Sequence, residues 1–239
     1  MKNLFLSVAV CFGAAVAFGQ VGNFSDVDQM GINNSAFVDQ EGNFNYSEVD
    51  HLGISNFSEV IQVGDGNENY SSAVGISNTS TSYQIGDDNM HTSDQTGIAN
   101  SAFSLQLGDS NTSDQTQVGI SNYADNFQIG AFNTASQSQV GISNSGTVIQ
   151  LGAGNFAMQD QTGISNVAGA TQVGFINISA QEQVGISNVS YVDQAGLMNV
   201  SLTDQTGIAN YAEVSQVGAF NGSVVTQMGI GNSATVAQH

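Results

Sequence analysis

From Gln29 onward the chain repeats an eleven-residue unit, Q-x-G-x-x-N-x-small-x-x-x, nineteen times with neither insertion nor deletion. A chain held to so short a period cannot build one irregular core. Each unit has to stack on a near copy of itself. Gly holds the third place and Asn the sixth in all nineteen units, while Gln opens seventeen, with His51 and Ala73 in the other two. Gln238 begins a further unit that stops at His239.

A longer period lies over the first. Odd units place Ile directly after the Gly, at Ile32, Ile54, Ile76 and on to Ile230. Even units never do, and carry Asn43, Asp65, Asp87, Asp109, Ala131, Ala153, Phe175, Leu197 and Ala219 there. The true repeat is therefore twenty-two residues, two similar arms making one coil.

The run from Asn to the next Gln alternates. Asn34, Ala36, Val38 and Gln40 fall on one side of an extended strand, with Ser35, Phe37 and Asp39 on the other. The place two after Asn is Ala or Ser in sixteen of nineteen units, so size is restricted on that face and it points inward. The exceptions are Asn69, His91 and Gly146. Each arm is expected to be a strand of about six or seven residues, followed by a turn over x-G-x-x, where Gly supplies positive φ. The fold class that follows is all-β: a β-solenoid of nine to ten strand-turn-strand-turn coils with two facing parallel sheets, about 45 Å long at ~4.8 Å per rung. Pro is absent throughout, as a hydrogen-bonded ladder requires. A Gly every eleven residues and β-branched arms argue against helix.

The ladder residues can be named. Stacked amides donate and accept along the axis, so a buried Gln or Asn is satisfied by its own column. The Gln column comprises Gln29, Gln40, Gln62, Gln84, Gln95, Gln106, Gln117, Gln128, Gln139, Gln150, Gln161, Gln172, Gln183, Gln194, Gln205, Gln216 and Gln227. The Asn column comprises Asn34, Asn45, Asn56, Asn67, Asn78, Asn89, Asn100, Asn111, Asn122, Asn133, Asn144, Asn155, Asn166, Asn177, Asn188, Asn199, Asn210, Asn221 and Asn232. The turn glycines of the odd units are Gly31, Gly53, Gly75, Gly97, Gly119, Gly141, Gly163, Gly185, Gly207 and Gly229.

Residues 1–19 read as a secretory signal peptide: a charged start at Lys2, an apolar run from Leu4 to Val16 too short to span a membrane, and Ala17-Phe18-Gly19 as a cleavage site. Residues 20–28 form a short segment before the repeat domain at 29–239. The one Cys, Cys11, lies in the leader, so the mature chain is expected to have no disulfide and no Cys-ligated metal. It also loses Lys2, the one basic residue, leaving twenty Asp and Glu unopposed by Lys or Arg. Such a chain cannot neutralise phosphates, which argues against nucleic acid, an anionic membrane surface or membrane insertion. Fifteen of the twenty acids lie between Asp26 and Asp125.

The pattern Q-x-G-x-x-N-x-A-x-x-x-Q-x-x-x-x-N, as in QTGIANSAFSLQLGDSN from Gln95 to Asn111, resembles the curlin repeat of bacterial curli amyloid subunits. The resemblance runs from Gln29 to Gln238. It implies a secreted subunit that polymerises into extracellular amyloid fibres supporting biofilm matrix and adhesion. Implied partners are copies of itself, a nucleator subunit, a dedicated secretion pore and chaperones. In the family one arm opens with Ser and the other with Asn; here both open with Asn, so the two sheets should be more alike. A nucleating minor subunit of the same fibre is the alternative within the family.

Other readings follow from particular residues. Asp65, Asp87 and Asp109 share one turn place on three successive coils. They read either as a weak Ca²⁺ site or as solvated charges that slow assembly. No other metal site and no cofactor is expected. His51 and His91 read as substitutions within ladders rather than ligands. Catalysis is not expected, because the repeat carries no long loop, no basic residue for an oxyanion and no recurrent Ser, His, Asp set. A monomeric adhesive or ice-binding solenoid would need a regular outward ladder; the outward Phe37, Glu59, Thr81, Phe103 and Asp125 are mixed. With no capping segment apparent at either end of the repeats, end-to-end addition is the expected mode of growth.

Overall fold

The structure is a computed structural model that describes residues 21–239. The expected leader at 1–19 lies outside the described residues. Odd-numbered strands, from β1 (Phe24–Ile32) to β19 (Gly222–Ile230), form one ten-stranded sheet. Even-numbered strands, from β2 (Ser35–Glu41) to β20 (Ser233–Gln238), form the other. Every pairing is parallel and joins each residue to the one twenty-two later: Phe24 to Tyr46 at one end, Gln216 to Gln238 at the other. The chain is thus a β-solenoid of ten coils, and the register never slips.

Most strands are nine residues long, longer than the six or seven expected, because pairing continues through the Gly and the residue after it. The turn glycine therefore lies inside the strand. What makes it obligatory is proximity as well as dihedral: Gly119 has φ +132°, and a Cβ there would lie 1.9 Å from the Gly141 carbonyl oxygen of the next coil. The chain reverses two residues later, at a left-handed corner occupied by Ser55, Ser77, Ser121 and their equivalents with φ near 56°. A left-handed L-residue costs roughly 1–2 kcal/mol. The corner N–H offsets part of that through an axial hydrogen bond, as from Ser121 to the Ile98 carbonyl at 2.9 Å.

Inward and outward residues alternate along every strand, as in β13 (Phe156–Ile164), where Ala157, Gln159 and Gln161 are buried. The interior is thin and changes along the axis. Val49 and Val60 fill the centre early, Ser71, Ser82, Ser93 and Ser104 follow, and Val192, Val214 and Val225 close the far end. Gly146 takes an inward small place where a Cβ would meet the Gln159 and Gln137 amides at 2.8 and 2.9 Å.

Close stacking at the glycine separates two substitutions of equal chemistry. Gly119→Ala should destabilise the solenoid by about 3 kcal/mol through overpacking against the adjacent backbone. Gly222→Ala, with nothing within 4 Å of the added carbon, should stay within about 0.5 kcal/mol of the parent. Denaturant unfolding of the two variants measures both; equal losses would contradict the packing argument.

Candidate functional site

The residues singled out in the sequence converge on continuous axial columns. In the even sheet the Gln amides form an unbroken chain from Gln40 to Gln238, each Nε2 donating to the Oε1 one coil on, as from Gln128 to Gln150 at 2.9 Å. The same Nε2 also donates to a main-chain carbonyl of the facing arm, Thr112 for Gln128 at 2.8 Å. The odd sheet has the same column from Gln95 to Gln227. It is interrupted early: Gln29 Nε2 meets His51 Nδ1 at 3.3 Å, and Ala73 offers no amide. Gln95 Oε1, which would accept from that place, has no partner among the described residues.

Asn columns run at both corners with the opposite polarity. Asn100 Nδ2 donates back to Asn78 Oδ1 at 3.1 Å and to the Gly119 carbonyl at 3.1 Å, while its own Oδ1 accepts the Asn122 backbone N–H at 3.1 Å. The Asn side chain therefore pins the corner of one coil to the strand end of the next. This answers why Asn, and not Gln, holds that place: the short amide reaches both the adjacent amide and the glycine carbonyl.

A further amide column escaped the sequence reading. Gln115, Gln137, Gln159 and Gln181 stack through the centre of the odd sheet at 3.1, 2.9 and 2.9 Å. All four are buried. Its signal was present as Q-x-Q, at Gln115–Gln117 and again every twenty-two residues to Gln181–Gln183.

The acidic column behaves differently from a metal cage. Asp65 Oδ1 accepts the Asn43 backbone N–H at 2.8 Å, Asp87 Oδ1 that of Asp65 at 2.8 Å, and Asp109 Oδ1 that of Asp87 at 3.1 Å. The carboxylates stack instead of converging, with one oxygen of each committed to main chain. Among the described residues no group of three or more His, Cys, Asp or Glu side chains is arranged to hold a metal ion, so the calcium alternative finds no converging donor set.

His91 is fully buried; Ser113 Oγ lies 3.3 Å from its Nδ1, and its Nε2 has no partner among the described residues. His51 bridges Gln29 and Ser58. Burial pushes both imidazoles down to about 4.

The two edges of the solenoid differ. The odd-unit edge carries the Ile column, with Ile54 through Ile208 each 42–44 % exposed. The even-unit edge is acidic at Asp65, Asp87, Asp88 and Asp109, then apolar, with Phe132, Phe175 and Phe220 well exposed.

Two outcomes follow. Gln139→Ala removes the acceptor of Gln117 and the donor to Gln161 and to the Tyr123 carbonyl. It should cost about 1–3 kcal/mol in equilibrium unfolding, the usual penalty for orphaned buried groups; a neutral result would show that the column carries no net stability. The His pair predicts a pH dependence. Folded imidazoles near 4 stay neutral while unfolded ones, at the ordinary 6.5, take up protons. The stability they allow is complete above pH 6.5 and is lost as pH falls toward 4, by up to about 1.4 kcal/mol per pH unit for each His. Unfolding of the parent and of a His51→Gln, His91→Ser variant across pH 4 to 7 should diverge on the acid side; parallel curves would refute the assignment.

No curated protein matches the chain. Residues 207–239 match the family model of the curlin associated repeat, a stretch that includes the last paired strands of both sheets. The coils before the matched stretch continue its register unchanged.

Proposed function

We propose that this chain is a secreted structural subunit that joins end to end with copies of itself into curli-type extracellular fibres of an adhesive biofilm matrix. The observation that carries the reading is the constancy of register: each coil presents to the next the same backbone groups and amides that it receives from the one before. Among the described residues, β1, β2, β19 and β20 each pair on one side only, leaving a row of unpaired N–H and C=O groups at either end. A second copy continues the columns: Gln227 and Gln238 donate to Gln29 and Gln40 of the next copy, whose Asn23 and Asn34 amides reach back toward Asn221 and Asn232.

Secretion is supported by the leader-like residues 1–19. The reading gives the chain no catalytic role, in keeping with corners of two residues between most strands and of four at the longest among the described residues. A nucleating subunit, an export pore and chaperones are the partners that the curlin repeat implies.

The purified chain lacking residues 1–19 should form fibres that bind amyloid dye and give a meridional reflection near ~4.7 Å. A chain that folds but stays monomeric at high concentration would refute end-to-end growth. The stacked acids set a second expectation. Like charges about 5 Å apart repel by about 1 kcal/mol in water, so Asp65→Asn, Asp87→Asn, Asp109→Asn together should shorten the lag before fibre growth at low salt. The difference should vanish in high salt, and an unchanged lag at low salt would deny the column a braking role.

A further inference from the structure

The Ile edge has a property that neither the ladders nor end-to-end growth uses. In all ten odd units the six residues from the place after Gln to the place after Asn include no charged side chain. The equivalent stretches of the even units hold Glu41, Asp65, Glu68, Asp87, Asp88 and Asp109. On a chain of net charge −19, one edge is therefore electrically blank along its whole length. It is also apolar: beside the half-exposed Ile column runs a second column, with Leu52, Val74, Val118, Val140 and Val184 each 38–49 % exposed. Soluble proteins rarely leave an apolar stripe of this extent uncovered.

We infer that two solenoids pair side by side through their Ile edges, the occupant of this surface being a second copy of the same chain. Two observations select that occupant. The first is electrostatic: the other edge, from Glu41 to Asp109, and the acidic outward faces bring acid against acid when two copies meet, whereas the Ile edge carries no charge along its whole length. A basic partner would choose the acidic surfaces instead. The second is metrical. The Ile residues are in register coil after coil, Ile98 on Ile120 and Ile120 on Ile142, at ~4.8 Å spacing over ten coils. Only a surface with the same spacing keeps apolar side chains in contact along that whole length, and identical side chains on matching ladders pack into dry interdigitated seams. A globular partner would cover a few rungs and leave the rest wet.

The pairing is a property of the folded solenoid and does not rest on fibre growth, so the two fail separately. Sedimentation velocity on freshly prepared soluble chain, and fibre width by atomic force microscopy where fibres form, read it directly. The parent should show a concentration-dependent dimer, and its fibres should lie in pairs. A variant with Ile98→Glu, Ile142→Glu and Ile186→Glu should lose both. The matched control, Ala131→Glu, Phe175→Glu and Ala219→Glu on the opposite edge, should keep both. Circular dichroism checks the fold; if the Ile-edge Glu variant does not fold, Ile→Thr at the same three places, which keeps the β-branched shape, decides by a measurable loss of pairing. A parent that remains single in both measurements, an Ile-edge variant that still pairs, or equal loss on the two edges would overturn the inference. Absence of fibres together with a dimer sensitive to the Ile edge would remove the proposed function and leave this inference standing.

Discussion

The axial hydrogen bond between a residue and its counterpart twenty-two positions on is the interaction on which everything else in this molecule depends. Backbone, Gln and Asn all use it, and all at once. A single intramolecular hydrogen bond contributes only about 0.5–1.5 kcal/mol net, but leaving a buried partner unmade costs about 1–3 kcal/mol. Because most interior Gln and Asn amides of the columns lie between two others, an insertion anywhere would orphan groups in every column it crosses. The absence of insertions across nineteen units is the mark of that penalty. Close approach is its geometric condition, and the glycines, whose added Cβ would lie about 2 Å from the next coil's carbonyl, are what permit it.

The columns are also balanced. Gln amides donate toward the C-terminal end, as from Gln84 to Gln106, while Asn amides donate toward the N-terminal end, as from Asn111 to Asn89. Side-chain dipoles in the two sets therefore oppose one another. Strand dipoles contribute little net field either. A stack built this way accumulates no large end charge as it lengthens, so the tenth coil is no harder to add than the second.

Much of this was readable from residue identity because the period does the work that folding codes usually spread over many weak preferences. Asn34, Ala36, Val38 and Gln40 could be assigned to one face before any coordinate was known, and the two-sheet solenoid follows. The corner was harder to place. Sequence reasoning gave the reversal to Gly, since Gly is the residue that tolerates positive φ, whereas the left-handed corner falls on Ser121 and its equivalents. The corner is stabilised by axial bonding that no local preference reveals. Phe132, Ile176 and Phe220 occupy the same conformation, which a local rule would forbid for residues so bulky or β-branched. The Gln115 to Gln181 column was missed for a related reason: Q-x-Q looks like ordinary polar composition until the coil brings its copies together.

The order in which copies meet under the proposed stacking is set by the parallel register, and the uneven acids reinforce it. Under the proposed stacking, Asp26 and Asp28 of one copy fall against Val224 and Thr226 of the copy before it, and Asp39 against Ala237. Two acidic ends brought together would instead crowd Asp26, Asp28 and Asp39 of both copies at one junction, much as Asp26 and Asp28 already lie beside Glu48 and Asp50 within the first coils. There Asp50 is pushed above the ordinary carboxylate range by burial and by the neighbouring Glu48, Asp28 and Asp26. The parallel register allows only head-to-tail continuation of both sheets, and the charge gradient disfavours the same wrong encounter. Five of the twenty acids lie beyond Asp125, so under the proposed stacking the acid-rich head of one subunit meets an acid-poor tail.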